Sequence, residues 1–253
     1  MVCSPVRVSW ALLLPILVAV AAVPTDALAR CMSSYVEVWP ARGETVPTNA
    51  RIVVHAGGTV WEHASFQGLT LRSGREVVRL EVAFDQWQPG PQSGRRTIVL
   101  APATPLRAHA RYQLRASVPG AGAVRTAFTV GTAADTHAPS APRVDVGAFQ
   151  NHELGCGPAQ SIPLAVSGAQ DDVAALGALF VRLRVAASEQ DLRASRLRAD
   201  IIEPLTATLA LGHGMCSGNF DLEPGDSLVA TLTVADRAMN ESAPSRVLRL
   251  TAR

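Results

Sequence analysis

From residue 35 onward, every apolar segment of this chain is soon stopped by glycine, proline or a cluster of small polar residues. Residues 35–39, 50–55, 69–72, 76–84, 97–100, 112–118 and 124–130 are short alternating or β-branched runs. Between them lie "PARGETVP", "AGG", Ser73-Gly74 and "WQPGPQSGRR". Seven such runs in about 100 residues is the spacing of a β-sandwich. The stretch "GTAADTHAPSAP", residues 131–142, has small residues, two prolines and no apolar period, so it reads as a linker. A second series follows at 143–146, 162–166, 180–185, 205–211, 228–234 and 246–250. Within it, "FVRLRV" has a period of two, which places Arg182 and Arg184 toward solvent and Val181, Leu183 and Val185 inward. Only "SEQDLRASRLRADI", residues 188–201, reads as a short helix or a hairpin loop, with Ser188 as its cap. The expectation is an all-β chain of two consecutive sandwiches, at residues 30–130 and 143–253.

The N-terminus carries an address. Arg7 precedes an apolar run from 11 to 23, and Ala27-Leu28-Ala29 has the small-x-small form of a signal-peptidase site. The run is too short to span about 30 Å of hydrocarbon, and no later segment is apolar enough to do so. Residues 1–29 therefore read as a signal peptide, and the chain as exported to the periplasm, the cell surface or the medium. Arg30 immediately before Cys31 departs from the pattern that lipid modification of a cysteine requires. The charge balance, 23 basic against 21 acidic residues for a net +2, argues against a nucleic-acid or anionic-membrane binder. Cleavage leaves Cys31, Cys156 and Cys216. In an oxidising compartment two of them are expected to pair, and Cys156 with Cys216 is the favoured pairing.

An internal echo links the halves. "LRAHARY", residues 106–112, and "LEPGDSL", residues 222–228, each precede an alternating run, "QLRASV" and "VATLTV". Tyr112 fits the tyrosine that ties such a corner to the backbone. Leu228 stands at the matching place, where packing alone is expected to hold the turn. Through "PARGETVPTNARIVV" and "IVLAPATPLRAHARYQL", the first half resembles a bacterial immunoglobulin-like domain of the surface-layer type, although His55 stands where phenylalanine is commoner. Through "APSAPRV", "LEPGDSL" and "VADRAMNESAPS", the second half resembles a fibronectin type III-like domain, with Met239 in place of the usual glycine. The resemblance implies architecture more than ligand.

Candidates for chemistry are few. The polar knot at 236–242 reads as a turn, because Asp and Asn side chains such as those of Asp236 and Asn240 characteristically bond to following backbone amides. The alternative is calcium, with hard oxygens from Asp135, Asp171, Asp172, Asp236 and Asn240. His152, Cys156, His213 and Cys216 form a set that suits tetrahedral zinc, against the simpler reading of a disulfide. Nucleophile elbows, zincin helices and phosphate loops do not occur in the sequence. Trp87, in the loop "DQWQPGPQ", reads first as a tryptophan folded back over the sandwich edge, and is the residue to stack on a glycan or a partner protein if any does. The leading expectation is a non-enzymatic envelope or extracellular binding module that uses its sandwich loops. The rivals are a structural spacer, a periplasmic chaperone-like protein and a metal-dependent hydrolase.

Overall fold

The computed structural model describes residues 34–89, 94–118, 122–154, 157–172, 179–214 and 218–253. The expected signal peptide, residues 1–29, and all cysteines, including the expected Cys156–Cys216 pair, lie outside the described residues. The protein is all-β, built from several antiparallel sheets. Among the described residues, no helix is long and apolar enough to cross a membrane.

The first half contains β1 (Tyr35–Trp39), β2 (Thr45–Val46), β3 (Ile52–Gly57), β4 (Thr70–Ser73), β5 (Glu76–Gln88), β6 (Arg95–Pro102), β7 (Arg111–Val118) and β8 (Gly122–Val130). They follow the order β1-β3-β6-β5-β4-β7-β8-β2. Strand β5 serves two layers: it pairs with β4 over Glu76–Arg79 and with β6 from Leu80 onward. Within the β6 pairing the register shifts between Val82 and Phe84. An extra residue there bends the strand and raises its twist, just after the change of partner. Between the layers lie Trp61, Phe66, Leu71, Leu80, Leu100, Leu114 and Phe128.

The second half contains β9 (Arg143–Val146), β10 (Gln150–Leu154), β11 (Gly157–Ser167), β12 (Phe180–Ala186), α1 (Glu189–Arg193), β13 (Ala199–Pro204), β14 (Thr208–His213), β15 (Ser227–Ala235) and β16 (Leu248–Thr251). One layer is β10-β11-β14 with β9 on β11; the other is β13-β12-β15-β16. The ambiguous segment 188–201 divides. Ser188 accepts from the Asp191 amide at 3.1 Å and caps α1. The chain then leaves the helix through Ser195, at φ 54°, and enters β13. Strands β2, β10 and β13 were not evident in the sequence, because two of them lack apolar alternation and β2 has only two residues.

Tyr112 is fully buried, and its hydroxyl accepts from the Arg107 amide at 3.2 Å and donates to Glu76 at 2.8 Å. The matching corner does not rest on packing alone. The Asp226 carboxylate accepts from the Glu223 amide at 3.0 Å.

Strand β3 is buried at all six positions. Alternation would give three, so its outward face must also be covered. The cover is the second half: Val53 and Val99 meet Phe180 and Ile202 in a separate buried cluster, flanked by Trp39, Phe84 and Met239. The stretch 131–142 is held along much of its length. The Thr48 amide donates to Ala133, Asn49 and Asp135 exchange two bonds of 2.7 and 2.9 Å, and Ser140 bonds Gly168 and Gln170.

Candidate functional site

Three loop ends meet beside this junction. Asp135 follows β8, Asp171 follows β11 and Asp236 follows β15. One oxygen from each lies within 4.8 Å of the others, and Asp135, His137 and Asp172 form a second such group. The sequence thus named residues that do converge. Their bonding is nevertheless that of a turn. Asp236, 0% exposed, accepts from the Ala238 amide at 2.7 Å, the Asn240 amide at 3.0 Å and the Asn240 side chain at 2.7 Å. Asn240 presents its amide nitrogen to the cluster, donating also to the carbonyls of Asp135 and His137, so it supplies a donor and not a ligand oxygen. Burial pushes the Asp236 carboxyl up to about 6; its bonds to Asn240 pull it down and the neighbouring Asp135 charge adds to the rise. These hydrogen bonds supply partners for the buried Asp236 carboxyl.

The same corner docks the two halves. Arg237, next to Asp236, donates to Glu44 at 2.8 and 3.3 Å, and its guanidinium lies 5.0 Å from the Phe180 ring centre. Its carbonyl accepts from the Arg51 amide at 2.7 Å. Trp39, at the end of β1, meets Phe180 edge-on at 5.7 Å in the cluster between the halves. Arg182, expected in solvent, is bound to Asp200 at 2.6 Å and to Glu241 at 2.6 Å, and lies over Phe84. Those bonds raise its already high pKa further.

A polar relay crosses the junction at β3. Tyr35, His55 and Thr97 stand in line at 3.2 and 3.0 Å, and the Thr97 hydroxyl donates to the Ile202 carbonyl at 3.1 Å. Because that hydroxyl proton is committed, Nδ1–H of His55 must donate to Thr97, leaving Nε2 to accept from Tyr35. Such a ring is neutral. Burial, with the Arg95 charge second, lowers its pKa to about 4.

Trp87 does not stand in an exposed loop. Strand β5 continues to Gln88, and the half-buried ring packs on the core and over Gly94, where any side chain would collide with it. His152 on β10 and His213 on β14 line one cleft on either side of β11; their candidate partners Cys156 and Cys216 are outside the described residues.

One surface escaped the sequence reading. The outward positions of β7, β8 and β4 bring together Arg72, Arg111, Arg115 and Arg125, with Arg42 beside them. A net charge near zero hid this concentration. The signal was the alternation in "RYQLRAS" and "AVRTA", together with a pairing register that sequence does not display. No protein-family model matches the chain, and no curated protein matches it in sequence.

Proposed function

We propose that this chain is an exported, non-enzymatic binding module of the cell envelope or extracellular space. In this reading an immunoglobulin-like half and a fibronectin type III-like half work as one rigid unit. The layers β1-β3-β6-β5 and β4-β7-β8 agree with the ABED and CFG layout of immunoglobulin sandwiches, and the Tyr112 corner bond supports the same reading. The two-layer second half, with its bonded Asp236 corner, agrees with the fibronectin-like one. The N-terminal apolar run ending in Ala27-Leu28-Ala29 supports export.

The observation that carries binding, over a spacer role, is the arginine face. Four exposed guanidinium groups on one side of one sheet, and that of Arg42 beside them, have no ion pair among the described residues. A spacer has no use for that self-repulsion. The test is saturable adsorption of the purified, processed protein to envelopes of the organism that makes it. Binding that saturates, and that an Arg111→Ser/Arg115→Ser variant loses, supports the reading. Non-saturable adsorption, equal in both proteins, leaves the spacer.

A further inference from the structure

We infer that the outer face of β4, β7 and β8 binds an extended anionic polysaccharide, which rests on the binding reading above and names its ligand. The face forms an open groove of about 570 Å³ whose polar rim is Arg42, Arg111, Gln113, Arg115, Ser117 and Arg125. Arg115 stands directly opposite Arg125 in the β7–β8 register. Directly opposed like charges destabilise an antiparallel pair, so each chain of this protein carries a local penalty that an anion would remove. Arg111, four residues before Arg115 on the same side of β7, extends the positive row by about 13 Å. Arg72 stands opposite Gln113 on β4 and widens it. The acid on the adjoining β5, Glu81, is already bound to Arg79 at 3.1 Å.

Shape and chemistry select the ligand. A guanidinium group offers a planar fork of donors that matches carboxylate and sulfate oxygens two at a time. The rim has no aromatic ring, so a neutral sugar finds no platform to stack on, and a protein partner finds no aromatic anchor. Strand β7 lies between β4 and β8, so an acidic peptide cannot join as a strand beside Arg111 and Arg115, and polyglutamate tests the outer edge of β8. Duplex DNA engages many phosphates across a broad surface, and the chain beyond this face is too rich in acids to meet them, at a net charge of only +2. A thin, flexible chain with an acid on successive sugars needs only the row itself.

The experiment titrates the whole processed protein with dextran sulfate, polygalacturonate, neutral dextran, polyglutamate and duplex DNA in low salt. Saturable binding to both acidic polysaccharides is expected, weakening steeply with salt, with none to neutral dextran. The Arg115→Ser/Arg125→Ser variant should bind at least about tenfold more weakly, with a shallower salt dependence. Its unfolding midpoint should hold or rise, since the opposed charges are gone. Arg115→Glu, which places an acid opposite Arg125, should also fold and should not bind. The inference falls if neither acidic polysaccharide binds, if the double variant binds as well as the parent, or if polyglutamate or DNA binds more tightly than dextran sulfate. Should envelopes still adsorb the protein saturably while both polysaccharides fail, the binding reading stands and this ligand is wrong.

Discussion

In the first half the chain enters β7 through Leu106, His109 and Tyr112; in the second it enters β15 through Leu222, Gly225 and Leu228. The two backbones trace the same path. His109 and Gly225 both have positive φ, 61° and 98°. The amide of each bonds the end of the last strand or the residue just past it, at Val130 (2.9 Å) and Ala252 (2.7 Å), and those residues return bonds to Ala110 and Asp226. The side chains differ. The amide just after the first leucine is satisfied by the Tyr112 hydroxyl in one half and by the Asp226 carboxylate in the other. The backbone path is thus the shared requirement, and any acceptor that reaches that one N–H serves. A similar contrast holds for buried ionisable groups: the first half keeps a neutral imidazole, the second a carboxyl with raised pKa.

That last contrast gives the largest expected effect. His55, with its pKa lowered to about 4, contributes stability that is full above about 6.5 and fades as pH falls toward 4. Asp236, raised to about 6, contributes stability that is full below about 3.8 and is lost as pH rises through 6. The two oppose each other between pH 4 and 6, each worth on the order of 2–3 kcal/mol. Relative to the parent, His55→Gln should therefore lose stability as pH rises from 4 to 6, and Asp236→Asn should gain it. Urea unfolding midpoints at pH 4, 5 and 6.5 measure both slopes. Parallel slopes in all three proteins would break the contrast.

Next in size is Tyr112→Phe, which leaves the Arg107 amide without its acceptor and Glu76 without its donor. A loss of about 2 kcal/mol in chemical denaturation is expected. Asp226→Ala removes the equivalent bond from a partly exposed turn and should cost about 1 kcal/mol. Equal losses at the two corners would mean that the hydroxyl and the carboxylate are interchangeable in energy as well as in role. Gly225→Ala meets no atom within 4 Å, so its cost, about 1 kcal/mol, is purely that of a side chain at positive φ. The smallest effect has the opposite sign: His109→Gly should stabilise by about 0.5 kcal/mol, read as a rise in thermal midpoint.

Much of this was legible in the order of residues. "YVEVW" and "RVDV" gave β1 and β9 to the residue, the alternation in "FVRLRV" fixed which side of β12 faces the core, and the echo of residues 106–112 with 222–228 located both corners. Met239, at the position where the fibronectin-like resemblance leads one to expect glycine, has φ 65°, a conformation that glycine adopts most readily. The junction was harder to read. Arg237 and Glu44 are 193 residues apart, and nothing local in either segment announces the other. The available signal was the unbroken "IVV" and "TIVL", too apolar for strands with one wet face. The acids 135, 171 and 236 were identified from their oxygens, yet whether those oxygens meet an ion or a backbone amide depends on loop geometry. Trp87 was misplaced because "QPGPQ" ended the expected strand too early; the strand outlasts its apolar residues.

The cluster of Val53, Val99, Phe180 and Ile202 also has a meaning in time. A ribosome finishes β8 roughly 110 residues before it reaches Met239, a delay on the order of ten seconds at ordinary elongation rates. Wherever the first sandwich folds, until Phe180 and Ile202 arrive it has a bare greasy flank, Trp39 included. A holdase that covers it, or a slow codon tract that prolongs it, would alter yield without touching a single contact in the finished molecule.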